Sequence, residues 1–220
     1  MLISRRSLLI ALAVMAMALL SPLEEMAHAL ASAHMVQHLM LILVAAPLLS
    51  KAIRFTLPDW VSPPLAWLLH TVTIWFWHAA GPYNAAVVNP LLHGLEHLSF
   101  LATAVVFWRV VGIGRQPEGI GVLLVFAMAL QSVFLALLLT FADTPWYWVY
   151  AATTRAYGLD PLADQQLAGV IMWIPAGLVY TGIGIRLLLT WVGIPEPNLR
   201  ARGLASTPSP VQSQEVEVRP

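Results

Sequence analysis

Six apolar segments, distributed over the 220 residues, restrict the fold of this chain more than any other feature. A helix needs roughly 20 apolar residues to cross a bilayer, with a range of about 17–25. Five segments reach that length, and none has the alternation of apolar and polar residues that is typical of strands. The sequence therefore predicts an all-α, polytopic membrane helical bundle of about six transmembrane helices within residues 1–192. The predicted spans are residues 7–20, 34–50, 64–80, 92–111, 119–141 and 165–191.

The charged residues are too few for a soluble protein of this size. Only 10% of the chain is charged and 59% is hydrophobic, whereas a soluble domain carries about 25% charged residues. This composition excludes a soluble enzyme, a disordered protein and a nucleic-acid binder, and it makes the lipid bilayer the expected surrounding. The absence of cysteine excludes disulfides and thiolate metal sites.

Basic residues indicate the orientation of the predicted spans. With a cytoplasmic N-terminus, ten of the eleven Lys and Arg residues fall on the inner side and only Arg155 falls on the outer side. Cytoplasmic loops of membrane proteins carry such an excess of positive charge. We therefore expect both termini in the cytoplasm, an arrangement written N-in/C-in.

The two ends of the chain differ in kind from the rest. Residues 5–22 form the shortest apolar segment, and its length also suits a signal-like anchor or a signal-peptide core. Cleavage after residues 31–33 (Ala-Ser-Ala) is the alternative that this leaves open. Residues 193–220 are rich in proline, serine and glutamine, and are predicted to form a disordered cytoplasmic tail.

Histidines are concentrated at the predicted outer surface. His34 and His38 open the second span, and His93 and His97 open the fourth, each pair with the pattern His-x-x-(Gln or Glu)-His. A spacing of four places both rings of a pair on one helix face. His78 closes the third span and reaches the same depth from the opposite direction. Because polar clusters in a bilayer are costly, five converging imidazoles predict a metal or cofactor site.

The residue types around these histidines favour copper. Imidazole binds copper, zinc, iron and nickel, and the thioether of Met35 adds a ligand suited to Cu(I). Gln37 and Glu96 occupy equivalent places in the two motifs, from which they can accept a ring N–H and orient the imidazoles. Asp164, followed by Gln165, opens the last span and is interpreted first as its N-cap, and second as a neighbour of the metal. Zinc and haem stay open as alternatives.

Four motifs resemble the CtaG family, the Bacillus-type assembly factors of caa3-type cytochrome c oxidase. They are residues 34–49, 77–84, 93–108 and 164–173, in the order found in the family. The resemblance implies a multi-pass protein of the bacterial plasma membrane that helps to mature haem-copper oxidases by delivering copper. It implies binding and transfer without catalysis, with cytochrome c oxidase subunits and an extracytoplasmic copper donor as partners. The residues that it marks are His34, His38, His78, His93, His97, Asp164 and Gln165.

Three other functions compete with this interpretation. An intramembrane metallopeptidase would use His93 and His97 as zinc ligands and Glu96 as base, but the next glutamate, Glu118, is predicted on the opposite side. A haem-binding electron-transfer protein would need only two of the histidines. A channel or transporter would carry more polar residues deep in its spans than this chain, in which His70 is the one deep histidine and has no assigned role.

Overall fold

The computed structural model describes residues 5–53, 55–112 and 118–192, and none of these residues forms a strand. The predicted tail at residues 193–220 lies outside the described residues. Short 3-10 turns occur at Trp148–Tyr150 and Thr154–Tyr157. The α-helices are α1 (Arg5–Leu20), α2 (Pro22–Ala27), α3 (Ala31–Leu39), α4 (Ala46–Ala52), α5 (Pro63–His78), α6 (Ala80–Val88), α7 (Pro90–Gly112), α8 (Glu118–Thr140) and α9 (Pro161–Trp191).

Each predicted span coincides with a helix, but the helices differ in reach. Among the described residues, four helices are long and apolar enough to cross a membrane: Ala31–Ala52, Pro90–Gly112, Gly119–Thr140 and Pro161–Trp191. Helices α1 and α5 have 16 residues each, which corresponds to about 24 Å against a hydrocarbon core of about 30 Å. The predicted all-helical membrane architecture is thus confirmed, while the number of six spans and the N-in/C-in orientation stay predictions.

The second predicted span is not a uniform α-helix. A π-helical turn, Met40–Ala45, joins α3 to α4. Pro47 follows it, and proline has no N–H with which to bond the carbonyl four residues earlier. The wider π-helical turn is compatible with the missing donor of Pro47. The Nε1–H of Trp108 donates to the carbonyl of Ile42, within this turn, at 2.7 Å. This hydrogen bond from α7 therefore stabilises the interruption of the α-helix.

Helices α8 and α9 pack closely because the contact contains small residues. A Cβ added to Gly169 of α9 would lie 2.7 Å from the carbonyl oxygen of Ala136 in α8, and closer still to Oγ1 of Thr140. Such a separation leaves no room for any side chain. Small residues at helix contacts are typical of membrane bundles, in which packing rather than the hydrophobic effect drives association.

Helices α3, α7 and α9 begin, and α5 ends, at one end of the bundle, which we call the histidine end. Asp164, which is fully buried, accepts hydrogen bonds from the backbone N–H of Ala31 at 2.6 Å and of Ser32 at 3.2 Å. The hydroxyl of Ser32 donates to the same carboxylate at 2.5 Å. The interpretation of Asp164 as the cap of its own helix is wrong, because α9 begins at Pro161 and Asp160 caps it. Asp164 instead caps α3, where the helix dipole favours its charge.

The opposite end of the bundle is basic. The guanidinium of Arg109 donates to the carbonyl of Ser50 and to that of Phe55, both at 2.8 Å, and so connects α7 to the end of α4. Lys51, Arg109 and Arg186 line a cavity of about 290 Å³ at this end. These three basic side chains and the histidines that open α3 and α7 therefore lie at opposite ends of one bundle.

Candidate metal centre

Six buried side chains from three helices meet at the histidine end, and we call them the buried cluster. Their exposed fractions do not exceed 6%. Helix α3 and helix α7 each turn one face toward the other, because side chains four residues apart lie one above the other. The last residue of α5 reaches the same level. The buried cluster consists of His34, His38, His78, His93, Glu96 and His97.

The five predicted histidines form one connected group of neighbouring rings. Within each motif the ring centroids are 4.4 Å apart for His34 and His38 and 4.3 Å apart for His93 and His97. Between α3 and α7 the distances are 5.1 Å for His34 and His93 and 5.3 Å for His38 and His97. His78 lies 5.6 Å from His38. The structure therefore brings together the five imidazoles that the sequence selected.

The carboxylate of Glu96 lies between the imidazoles. Its Oε2 is 3.3 Å from Nε2 of His34 and 3.7 Å from Nδ1 of His93, and its Oε1 is 3.5 Å from Nε2 of His38. One ligand atom from each of His34, His93, Glu96 and His97 lies within 4.8 Å of the others. In a tetrahedral site, metal bonds of about 2.0–2.2 Å place the ligand atoms about 3.4 Å apart. Small side-chain rotations would thus suffice to close these four groups around one ion.

Most polar atoms of the buried cluster have no hydrogen-bond partner among the described residues, and each neutral imidazole among them offers one lone pair. An unsatisfied buried polar group costs about 1–3 kcal/mol, and native proteins contain only a few of them. Their concentration at one place is accounted for by a shared cation that accepts several lone pairs, so the donor set fits a metal ion. The atoms are His34 Nε2, both ring nitrogens of His38 and His93, His78 Nε2, both carboxylate oxygens of Glu96, and His97 Nε2.

Hydrogen bonds at the far nitrogens orient two of the rings. Nδ1 of His78 lies 2.7 Å from the carbonyl of Ile74, to which only an N–H can donate, so Nε2 retains its lone pair. Nδ1 of His34 lies 3.1 Å from the hydroxyl of Tyr150, which itself donates to the carbonyl of Ala27 at 2.9 Å. The hydroxyl oxygen therefore accepts from His34, and Nε2 of that ring is left with its lone pair toward the buried cluster. Such outer partners are usual for metal-binding histidines.

The family model described as cytochrome c oxidase caa3 assembly factor matches residues 5–193. The chain belongs to this family. The match confirms the resemblance to CtaG, and it covers every residue of the buried cluster. No curated protein and no solved structure matches the chain. Membership in the CtaG family implies association with cytochrome c oxidase and indicates a non-catalytic role.

In this CtaG-family chain, three tyrosines cover the histidine end. Tyr83 of α6 stacks on Tyr147 with ring centroids 3.7 Å apart, and its hydroxyl lies 3.3 Å from that of Tyr150. The hydroxyl of Tyr147 donates to the carbonyl of His78 at 3.0 Å. Burial raises the pKa of all three phenols above its ordinary value, so they stay protonated and act as hydrogen-bond donors. The loop that follows α8 is thereby fixed over the buried cluster.

The other predicted residues of the CtaG motifs contact the protein rather than the imidazole rings. Nε2 of Gln37 donates to Oε2 of Glu24 at 2.5 Å, and Oε1 of Gln165 accepts from the backbone N–H of Trp146 at 2.6 Å. Met35 is buried in the hydrophobic core. The roles that the sequence assigned to these three residues and to Asp164 near a metal stay predictions.

Glu24 is a functional candidate that the sequence did not select. It lies in α2, whose first turn follows the N-cap Ser21, and its Oε1 is 3.2 Å from Nε2 of His93 and 3.5 Å from Nε2 of His28. The sequence pattern that could have indicated Glu24 is its spacing of four from His28, because this spacing places both side chains on one face of a helix. Helix α2 lies between two apolar segments, so the hydropathy pattern indicates only a connection between spans there and does not select Glu24.

His70 lies apart from the CtaG histidine cluster. It precedes His78 by eight residues in α5, which separates the two along the helix axis by about 12 Å. Nδ1 of His70 lies 2.9 Å from Oγ1 of Thr103, and the ring stacks on Phe107 with centroids 5.9 Å apart. Its environment is that of a packed core residue that holds α5 against α7.

Proposed function

We propose that the chain is a membrane-embedded assembly factor of haem-copper cytochrome c oxidase that binds copper at the buried cluster and passes it to the oxidase. The observation that carries this proposal is the convergence of unpaired lone pairs from five imidazoles and one carboxylate. The family match supports the oxidase as the recipient, since the family is described as assembling it. Copper is here the cargo of the protein.

The ligand types support copper over harder cations. Magnesium and calcium take oxygen ligands, whereas imidazole is suited to copper, zinc, iron and nickel. The chain has no cysteine, so thiolates cannot contribute. Five imidazoles exceed the four ligands of a closed tetrahedral site. The surplus favours release, because a ligand from the recipient can replace one imidazole before the next one leaves.

Copper content of the purified chain tests this function. We expect copper in the wild-type protein and its loss from a variant that combines His34→Ala, His38→Ala and His93→Ala. The matched control is His70→Ala, which removes another fully buried histidine from outside the cluster and should retain wild-type copper. Equal copper in the wild type and the triple variant would contradict the proposal. A Soret band in the visible spectrum would identify haem instead.

A deletion strain tests the role in the cell. We expect its cytochrome c oxidase to lack copper, and we expect the His70→Ala gene, but not the triple-variant gene, to restore it. An oxidase that is fully loaded with copper in the deletion strain would remove the functional proposal. The copper-binding site itself would then be judged by the metal content of the purified chain alone.

A further inference from the structure

A second group of metal-ligand side chains lies beside the buried cluster, nearer the surface. Oε1 of Glu24 is 3.5 Å from Nε2 of His28 and 3.2 Å from Nε2 of His93, and the two rings are 4.8 Å apart. The side chains of His28 and Glu24 are 41% and 28% exposed, against 7% for His93. We call these three residues the exposed triad. They contribute two nitrogens and one oxygen that lie within 4.8 Å of one another.

Hydrogen bonds on the outside of the exposed triad direct its ligand atoms inward. Nδ1 of His28 lies 3.2 Å from the carbonyl of Val87, so it carries the proton and Nε2 carries the lone pair. Oε2 of Glu24 accepts from Gln37 at 2.5 Å, which leaves Oε1 to face both rings. His28 and Glu24 thus each have one atom bound by the protein and one atom left for a ligand.

A simple ion pair does not account for the exposed triad. Nε2 of His93 lies 3.2 Å from Oε1 of Glu24, yet neither ring nitrogen of His93 has a hydrogen-bond partner among the described residues. A protonated His93 that paired with Glu24 would aim an N–H at the oxygen. A buried nitrogen that approaches a carboxylate without such a bond is better matched by a cation shared between the two.

One cavity connects the exposed triad to the buried cluster. Its volume is about 370 Å³, and its lining includes Glu24, His28 and His93 of the triad together with His97 of the cluster. Since a water molecule takes about 30 Å³ in the liquid, this space accommodates an ion with several waters. Leu98 of α7 and Met15 of α1 are among the residues that line the remainder. An ion in the cavity can therefore reach both groups.

We infer that the exposed triad binds copper first and that His93 passes the ion to the buried cluster, an inference that rests on the proposed function. His93 belongs to both groups: its Nε2 faces Glu24 at 3.2 Å, and its Nδ1 faces Glu96 at 3.7 Å. Glu24 and His28 are the receiving ligands, since they alone of these residues are substantially exposed.

The transfer is a ligand exchange in which copper keeps its oxidation state. The bonds from copper to Glu24, His28 and Nε2 of His93 break as bonds form to His34, Glu96, His97 and Nδ1 of His93. The single ring proton of His93 moves from Nδ1 to Nε2, so no proton is gained or lost. Written with both carboxylates ionised, the exchange replaces the carboxylate of Glu24 by that of Glu96, so the charge of the ligands around the ion is the same before and after it.

The rate of copper uptake by the full-length chain in detergent micelles tests the inference. Cu(I) is supplied as its complex with the coloured chelator bicinchoninate, and the loss of colour gives both the rate and the final occupancy. We expect Glu24→Gln and His28→Gln to slow uptake by about tenfold, because the receiving carboxylate and imidazole are lost. Both variants should reach the occupancy of the wild type, since the buried cluster is intact.

Glu25→Gln is the matched control. It makes the same change of charge at the next position of α2, where the side chain is exposed and outside the exposed triad, and it should load at the wild-type rate. Wild-type rates in both triad variants would overturn the inference and leave the proposed function intact. A final occupancy as low as that of the triple histidine variant would also overturn it, because the triad would then belong to one common site. Failure of the wild-type chain to take up copper would overturn the proposed function itself.

Discussion

At the scale of single residues, Tyr150 controls which nitrogen of His34 is available to a metal. Its hydroxyl oxygen accepts from Nδ1 of His34 while its hydrogen bonds Ala27. We expect Tyr150→Phe to weaken copper binding by about tenfold, the effect that is typical when an outer partner of a metal ligand is removed. A competition titration against a copper chelator of known affinity measures this change.

The control for this variant is Tyr157→Phe, which removes a phenol hydroxyl from a side chain that is 49% exposed. Its copper affinity should equal that of the wild type. If Tyr150→Phe binds copper as tightly as the control, the hydrogen bond does not set the ring orientation. A circular dichroism spectrum of both variants establishes that the helices are intact.

The ligand histidines could be predicted from the sequence, and their surroundings could not. Two histidines four residues apart share a helix face wherever the helix lies, so local geometry alone pairs His34 with His38 and His93 with His97. Glu24 and Tyr150 reach the same place from a six-residue helix and from a 3-10 turn in a loop. Their positions depend on tertiary packing, which has no periodic signal in the sequence.

At the scale of helices, the contact between α8 and α9 depends on Gly169. A methyl group there would meet the backbone of Ala136, which cannot move aside as a side chain can. We expect Gly169→Ala to lower the free energy of unfolding by about 1–3 kcal/mol, the range for overpacking a filled contact. Thermal unfolding in detergent measures this loss.

Gly177 of the same helix supplies the comparison, because a Cβ built there meets nothing within 4 Å. Gly177→Ala should leave the melting temperature unchanged or raise it, since alanine is the better helix former by about 1 kcal/mol. Equal melting temperatures for the two variants would mean that α8 and α9 are not held as closely as the structure describes.

Helix positions could be predicted more completely than helix ends. The apolar segment at residues 92–111 agrees with α7 (Pro90–Gly112) because burial in lipid requires a long apolar run. Helix ends depend on hydrogen-bond partners, which can come from elsewhere in the chain. Asp164 illustrates this, since it has the residue type of an N-cap and caps α3 across the bundle.

At the scale of the whole molecule, the separation of histidines and basic residues predicts how the bundle lies in the membrane. The positive-inside rule places the basic end in the cytoplasm and the histidine end outside. The absence of cysteine permits single-cysteine labelling with a membrane-impermeant maleimide. In right-side-out vesicles, we expect labelling of Asp143→Cys, and labelling of Asp59→Cys only after permeabilisation.

Both positions are exposed and both substitutions remove one carboxylate, so the two variants control for each other. Asp143 follows α8 at the histidine end, and Asp59 lies between α4 and α5 at the basic end. The opposite labelling pattern would place the histidines in the cytoplasm. A copper donor outside the cytoplasm could then not reach the exposed triad.

The π-helical turn at Met40–Ala45 separates two tasks along one helix. An α-helix rotates by about 100° per residue, so one additional residue in a turn changes the angular phase of everything beyond it. His34 and His38 precede the turn, whereas Ser50, which is held by Arg109, follows it. The gain or loss of one residue at this turn would re-aim the half that carries the histidines while the anchored half keeps its contacts.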